Sequence, residues 1–454
     1  MVKLQKKYFI DTLLSELNVE LKAKETKFYK AKPRKINITN LMLSFFYMAL
    51  SDKNGYSIWA EHLAILFGGT VSKVAIWKRM NKEQVLCLQA ILEETFKIKI
   101  CQQYLSNSND VALFSPFGEV YLQDSTIISL PDELCGFYKG SVSKGKQKSS
   151  IRIQAVYGLL SGSFREFNLA SFTENDQGAS ADVVKLLNPG DLIIRDLGYF
   201  VLKVFKAIDL AGAFFLSRYR YGVIIYDAQT EGQISLSKIL NRDIVDIEVL
   251  IGAVDKLKCR LVAVKLPEHI AAERRRKAQN DRDKRLNHSK EYMESLSWSI
   301  FVTNIDKQVW CHEKIVKAYK IRWHIEIIFK GWKSHFNMST LVPEPPKSNQ
   351  NDEKHLELYK HRIDSTILML LIFIILFQIH IYTSLVFRIF HKHKKLVSLV
   401  KLCSYVATHK QRIFSCENID VLEDEIAYYA TFEKRRKRNN HLEIFMDVFG
   451  FQII

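Results

Sequence analysis

The chain has 454 residues, 48% of them hydrophobic, and 66 Lys+Arg against 49 Asp+Glu give it a formal net charge of +17. That length allows roughly two or three domains with ample core, and a field of that sign attracts polyanions, either nucleic acid or an acidic membrane surface. Its 7 Cys form no CxxC pair and no Cys/His cluster, which argues against structural zinc and a disulfide framework, and the first residues lack the apolar core of a secretory signal.

The first 100 or so residues read as helical, with no strand-like alternation of any length. Within them "SIWAEHLAILFGGTVSKVAIWKRMN" is a helix, a break at Gly68-Gly69, and a second helix that Thr70 or Ser72 could cap. Lys73, Trp77, Lys78 and Arg79 ride on the second helix, as in a helix-turn-helix that enters a DNA groove. An ordinary helical hairpin with a solvated basic face reads the same way.

From about residue 110 the pattern turns to strands. "GEVYLQDSTIISLP" alternates and stops at Pro131, and "SIRIQAVYGLLSGSFREFNLA" reads as a hairpin turning at Ser161-Gly162-Ser163. "ADVVKLLNPG" is a short helix, "DLIIRDLGYF" a buried strand ending in a turn, and "VLKVFKAIDLAG" a helix. This order describes an α/β domain with Asp124 and Asp196 on or at the end of strands. "AFFLSRY", "GVIIYD", "IVDIEVLIG", "CRLVAVKLP" and "SLSWSIFVTNI" then resemble an antiparallel β insertion. The charged "AAERRRKAQNDRDKRLNHSKEYME" inside it reads as a solvated helix, with nucleic-acid contact as the second reading.

"YKIRWHIEIIFKGWK" has helical spacing. Ile321, Ile325, Ile328, Phe329, Trp332 and Phe336 fall within about 100° of one another as a core-facing stripe. Tyr319, Arg322, Glu326 and Lys333 fall within about 60° on the neighbouring arc. By periodicity alone that arc is equally a solvated face with Arg322 and Glu326 as an i,i+4 pair. "VPEPPKSNQNDEK" is a flexible connection, and "ILMLLIFIILF" is a buried core helix in preference to a membrane span, being shorter than the about 20 residues a bilayer requires. The C-terminal part is helical and includes the basic run "KRRKRNN", a solvated tail or a phosphate contact.

Three of these stretches in order, "QDSTIISLP", "RDLGYF" and Tyr319/Arg322/Glu326/Lys333, resemble the bacterial insertion-sequence DDE transposases with the YREK signature. These are the cut-and-paste branch with an RNase H-like catalytic domain. One departure is Leu197, where the family commonly has Arg after the second Asp. The resemblance implies an α/β fold: a helical N-terminal DNA-binding region at 1–105, an RNase H-like catalytic domain at 106–212 and 306–378, a mainly antiparallel β insertion at 213–305, and a helical C-terminal region at 379–454 available for dimerisation.

It further implies Asp124, Asp196 and Glu326 as catalytic metal ligands for two Mg²⁺ ions, with Mn²⁺ as a substitute. Phosphodiester cleavage by water or a 3′-OH needs an activated nucleophile and a stabilised pentacovalent phosphate, and two cations supply both. Oxygen-only ligands suit Mg²⁺. Tyr319, Arg322 and Lys333 would grip DNA phosphates, and Trp298 would stack on a base flipped out near the cut end. The expected partners are double-stranded DNA, as transposon ends and target, and a second copy in a homodimeric DNA complex, with no membrane. The expected location is the cytoplasm, at the nucleoid, and the expected reaction is cut-and-paste through a hairpin end. Two other readings stay open: an RNase H-like structure-specific endonuclease, and an inactive DNA-binding descendant acting as repressor or inhibitor.

Overall fold

Strand β1 (Val120–Leu130) fixes the positions of its neighbours. The structure, a computed structural model, describes residues 12–29, 33, 36–98, 113–281, 288–343, 353–416 and 418–433. β1 pairs antiparallel with β3 (Lys146–Gly158), and β3 pairs with β2 (Lys139–Ser143) near its start and with β4 (Ser163–Ser171) along the rest. β1 also pairs in parallel with β5 (Leu192–Arg195), which pairs in parallel with β6 (Phe214–Arg218). The order β4-β3-β1-β5-β6, an antiparallel meander followed by two parallel strands, is the RNase H-like arrangement. β5 reads "LIIR" and is buried throughout, as a central parallel strand covered on both faces requires.

The β3–β4 hairpin forms where the sequence places it. Gly162 takes a left-handed φ of 65°, and the Glu119 carboxylate accepts hydrogen bonds from the Leu160 and Ser161 amides at 2.8 and 3.2 Å. β2 has no apolar alternation to announce it. Its turn rests on Lys144 and Gly145, whose φ values of 51° and 75° suit a tight hairpin.

The insertion extends the same sheet. β7 (Ile225–Asp227), β8 (Gln233–Ile234), β9 (Ile244–Ile251), β10 (Leu257–Lys265) and β11 (Trp298–Thr303) join through antiparallel pairing of β11 with β6. β6, inside the span 213–305 expected for the insertion, pairs in parallel with β5 and antiparallel with β11.

The helices are α1 (Val19–Glu25), α2 (Ile38–Ala49), α3 (Tyr56–Phe67), α4 (Lys73–Trp77), α5 (Lys82–Thr95), α6 (Leu202–Leu210), α7 (Leu236–Ile239), α8 (Glu268–Gln279), α9 (Lys290–Ser295), α10 (His312–Lys320), α11 (Trp323–His335), α12 (Glu353–Phe377), α13 (Ser384–His393), α14 (Leu399–Thr408), α15 (Lys410–Ser415) and α16 (Glu423–Tyr429). One continuous core joins the N-terminal helices, one face of the sheet, α11 and the C-terminal helices. A second core lies on the opposite face under α6 and the insertion. The apolar run of α12 is packed inside the protein against α2 and α5, and Gln378 just beyond it donates to the Tyr157 hydroxyl at 3.1 Å. α8 is held to β11 by Arg274, whose Nη1 donates to the Trp298 carbonyl at 3.0 Å. The run "KRRKRNN" and most of "VPEPPKSNQNDEK" lie outside the described residues.

Asn337, just past α11, ties the N-terminal helices to the site helix. Its φ is 54°, and its amide donates to the Ala49 and Ser51 carbonyls at 3.0 and 2.7 Å. Asn337→Ala should cost about 2–3 kcal/mol, since two hydrogen bonds are lost and a left-handed backbone is kept without a compensating side chain. Asn337→Gly should cost less, because only the hydrogen bonds are lost. Chemical denaturation of the two variants checks the order.

Candidate active site

Register brings the two aspartates together. Gln123 of β1 lies opposite Arg195 of the parallel β5, so the next residues, Asp124 and Asp196, stand abreast where the two strands part. Side chains alternate along a strand. Leu122 and Ile194 belong to the core on the α11 side, so Asp124 and Asp196 share that face. α11 packs on β1 and presents Glu326 to the same place.

Arg322 stands among them. Its Nη1 is 2.7 Å from Glu326 Oε1 and 3.9 Å from Asp124 Oδ2, and its Nε is 3.6 Å from Asp196 Oδ1. The structure therefore gathers Asp124, Asp196, Glu326 and Arg322 at one point. Burial pushes the Asp124 carboxyl up to about 7; the Ser125 amide and Arg322 oppose this, while Glu326 and Asp196 reinforce it. Burial also works against the Arg322 charge, but Asp196, Tyr319, Glu326 and Asp124 outweigh it and raise its pKa.

The expected continuous helix is broken. α10 ends at Lys320 and α11 begins at Trp323, with i→i+3 bonds from Ile321, Arg322 and His324 to Ala318, Tyr319 and Ile321. Such bonds advance about 120° per residue rather than 100°, so Tyr319 and Arg322 turn inward and are buried rather than lying on a solvated arc. Tyr319 packs against Phe301, with the Arg218 guanidinium 5.8 Å from its ring. Burial pushes its phenol up to about 12. Neither its hydroxyl nor Arg322 Nε has a hydrogen-bond partner among the described residues. Lys333 is exposed further along α11.

Other expected residues lie elsewhere. Trp298 opens β11 half-buried in the second core, on the sheet face opposite Phe301 and Tyr319, and is not brought to the acids. Lys73 and Lys78 are exposed around α4, whose start Ser72 caps through the Ala75 amide. Arg79 is folded back onto the Ala75 carbonyl at 2.8 Å, and Arg362 of α12 stacks 3.7 Å over the Trp77 ring. α4 has only five residues, so its cations sit on a short, firmly docked turn.

Two features were not read from the sequence. Trp323 is 57% exposed at the rim, with the Arg322 guanidinium 5.4 Å from its ring; it fell on neither arc of the helical wheel. Behind the acids, on the reverse face, Asp176 Oδ1 accepts from Arg152, Ser125 and Gln154 at 2.8, 2.9 and 3.0 Å. A Cβ on Gly198 would meet Asp176 Oδ2 at 3.1 Å, so the glycine leaves room for this carboxylate beside the Asp196 turn. Arg195 points to this reverse face too, fully buried, bonded to Gln123 and the Ser180 carbonyl, with its pKa lowered to about 9 by burial. It therefore does not substitute for the charge missing at Leu197.

Converging carboxylates at the parting point of an RNase H-like sheet define a class of enzymes that work on phosphodiesters with divalent metal. The donor set fits such a cation: the three acids offer oxygen ligands only. Residues 115–342 match the family model of the transposase DDE domain. The transposase of IS231B from Bacillus thuringiensis subsp. berliner is 30% identical over 70% of this chain and 70% of its own length. That of IS231D from Bacillus thuringiensis subsp. finitimus is 27% identical over 92% and 88%, and that of IS1151 from Clostridium perfringens is 28% identical over 70% and 71%. Among solved structures, a piggyBac transposase synaptic complex with hairpin DNA aligns over 95% of this chain and 86% of its own, with a TM-score of 0.42 and 10% identity. The chain belongs to the DDE transposases of bacterial insertion sequences, enzymes that cleave DNA and transfer its strands with divalent metal.

The reverse-face pair offers a direct test of coupling. Arg152→Ala and Asp176→Ala should each destabilise, because each leaves a partly buried charge without its partner. The double variant should recover part of the loss, with a coupling of about 1–2 kcal/mol in a thermodynamic cycle. Additive losses would show that the pair is not a unit.

Proposed function

We propose that this protein is the transposase of its own insertion sequence. It binds terminal inverted repeats, pairs two ends in a homodimeric complex, and excises and joins DNA by a cut-and-paste route with a hairpin at the transposon end. It works in the cytoplasm at the nucleoid, with no membrane partner. The observation that carries the reading is the convergence of Asp124, Asp196 and Glu326 on Arg322.

Asp124, Asp196 and Glu326 would hold two Mg²⁺ ions, with Mn²⁺ as a substitute; when bound, these supply an activated hydroxyl and charge stabilisation at the phosphate. Arg322 balances the acids in the free protein. Its Nε and the Tyr319 hydroxyl are the polar atoms left without hydrogen bonds beside the acids, and both suit a phosphate oxygen of the DNA end. Lys333 adds a point charge along the same helix. The exposed Lys73 and Lys78 would contribute cations to the surface that reads the ends.

Duplexes carrying the ends that flank its own gene should be nicked and then cut by the parent protein with Mg²⁺ or Mn²⁺. Asp124→Ala, Asp196→Ala or Glu326→Ala should lower the cleavage rate by roughly 10³-fold or more, about 4 kcal/mol of transition-state stabilisation, while end binding is retained. Mg²⁺ should also raise the melting temperature of the parent and not that of Asp124→Ala. Cleavage near the parental rate in any of the three would overturn the site; binding without cleavage by the parent would favour the repressor reading.

Recognition is tested separately. Lys73→Ala with Lys78→Ala should reduce the slope of log affinity against log salt by about two for end DNA if both meet phosphates. Arg79→Ala should instead lower the melting temperature, because its guanidinium is spent on the Ala75 carbonyl. An unchanged salt slope in the lysine variant would place the end-reading surface elsewhere.

A further inference from the structure

A cleft of 540 Å³ lies well outside the acid site, between β9, α7 and the segment leading into α10. Lys238, Arg242 and Lys307 converge on it, and all three are exposed. Among the described residues no carboxylate forms an ion pair with any of them. The acid that lines the cleft, Asp246, is already neutralised: the buried Arg260 grips its two oxygens at 2.6 and 2.7 Å. Arg260 also donates to the Trp310 carbonyl at 2.6 Å, so it fixes the wall that carries Lys307 relative to β10. The remaining lining includes Ile244 and Ile247, exposed at 46% and 37%.

Three unpaired cations around one concavity repel each other, and an anion bound there relieves that repulsion. The adjoining cleft of 400 Å³ shares Lys307 with this one, and its other lysine, Lys258, is paired with Glu248 at 3.0 Å. A groove that combines open cationic groups with exposed apolar edges suits a sugar-phosphate backbone, whose charges recur along its length and whose sugars present apolar surface.

We propose that this cleft binds the phosphate backbone of the duplex that carries the cut end, as a second contact remote from the acids; the idea rests on the transposase reading above. Position supports duplex DNA over a small phosphate ligand. α10 starts at the cleft with His312 and reaches Tyr319 near the acids, about 10 Å away along the helix. Lys314 and Lys320 are exposed on that helix, which gives a basic track between cleft and site. At 3.4 Å per nucleotide along one strand that distance corresponds to about three base pairs. A duplex gripped in the cleft is then anchored about three or more base pairs from the cleaved bond, so the scissile phosphate is approached at a fixed angle.

The test uses the full chain with Lys238→Ala, Arg242→Ala and Lys307→Ala combined, after melting curves confirm parental stability. A second variant, Lys307→Glu alone, guards against an effect of the triple change on folding. Binding to a long duplex is titrated against salt. The triple variant should lose about two to three units of slope, and Lys307→Glu should weaken binding at low salt. The slope difference should disappear on a duplex trimmed to about two base pairs on whichever side of the cut occupies the cleft, flank or transposon. Equal slopes on the long duplex overturn the proposal. So does a difference that survives trimming on both sides, or one that appears only in the binding of free ATP. Because the readout is duplex binding, it stands even if end-specific cleavage fails, and a failure of the transposase reading would show in cleavage alone.

Discussion

Three carboxylates gathered around one guanidinium repel one another, and the rest of the site is arranged around that repulsion. In the free protein one guanidinium meets all three, 2.7 Å from Glu326 and within 4 Å of Asp124 and Asp196. Asp124, the most buried of the acids, has its carboxyl pushed up to about 7, chiefly by burial, with Glu326 and Asp196 adding to it. Positive charge beside such a cluster stabilises it, and in the free protein Arg322 supplies it. Arg322 is thus a structural counter-ion.

The fold serves this constraint from two directions. Parallel pairing of β1 with β5 sets Asp124 beside Asp196 with no loop between them to flex. The third acid must approach from a helix, and the helix must be fixed at the level of individual contacts. α11 is clamped by α14, close enough that a Cβ on Gly331 would meet Cys403 Sγ at 3.2 Å, and Asn337 ties its far end to α2. The N- and C-terminal helices therefore position the chemistry as well as surround it, since one core runs through them and the face of the sheet that carries the acids.

The acids were legible in the sequence because a strand-borne Asp, a strand-end Asp and a helix-borne Glu sit in motifs with fixed spacing. The alternation of "VYLQDSTIISL" and the apolar "LIIR" also announced β1 and β5. What was not legible depends on tertiary geometry. No periodicity rule foresaw the tight turn at Ile321–Arg322, which buries Tyr319 and Arg322 where a continuous helix would have left them on a wetter arc. β2 escaped because its strand is polar and mostly exposed. Arg79 looked like a DNA contact by composition, yet its guanidinium bonds to the backbone one turn earlier. Charge identifies a basic face, but only the fold says which cations are already committed.

The same distinction governs the arginines that flank the second aspartate. Arg195 and Leu197 are neighbours of Asp196 in sequence, but alternation sends Arg195 through the sheet to the reverse face, where it holds Gln123 and the Ser180 carbonyl. Leu197 stays on the exposed turn and brings no charge. The positive charge at the acids therefore comes from the helix and not from the strand, through Arg322. Arg152 and Asp176 neutralise each other behind the strand, so neither contributes net charge to the front. Among the described residues Arg322 is the guanidinium that meets all three acids, and the tight turn that delivers it is therefore part of what lets the acid cluster fold.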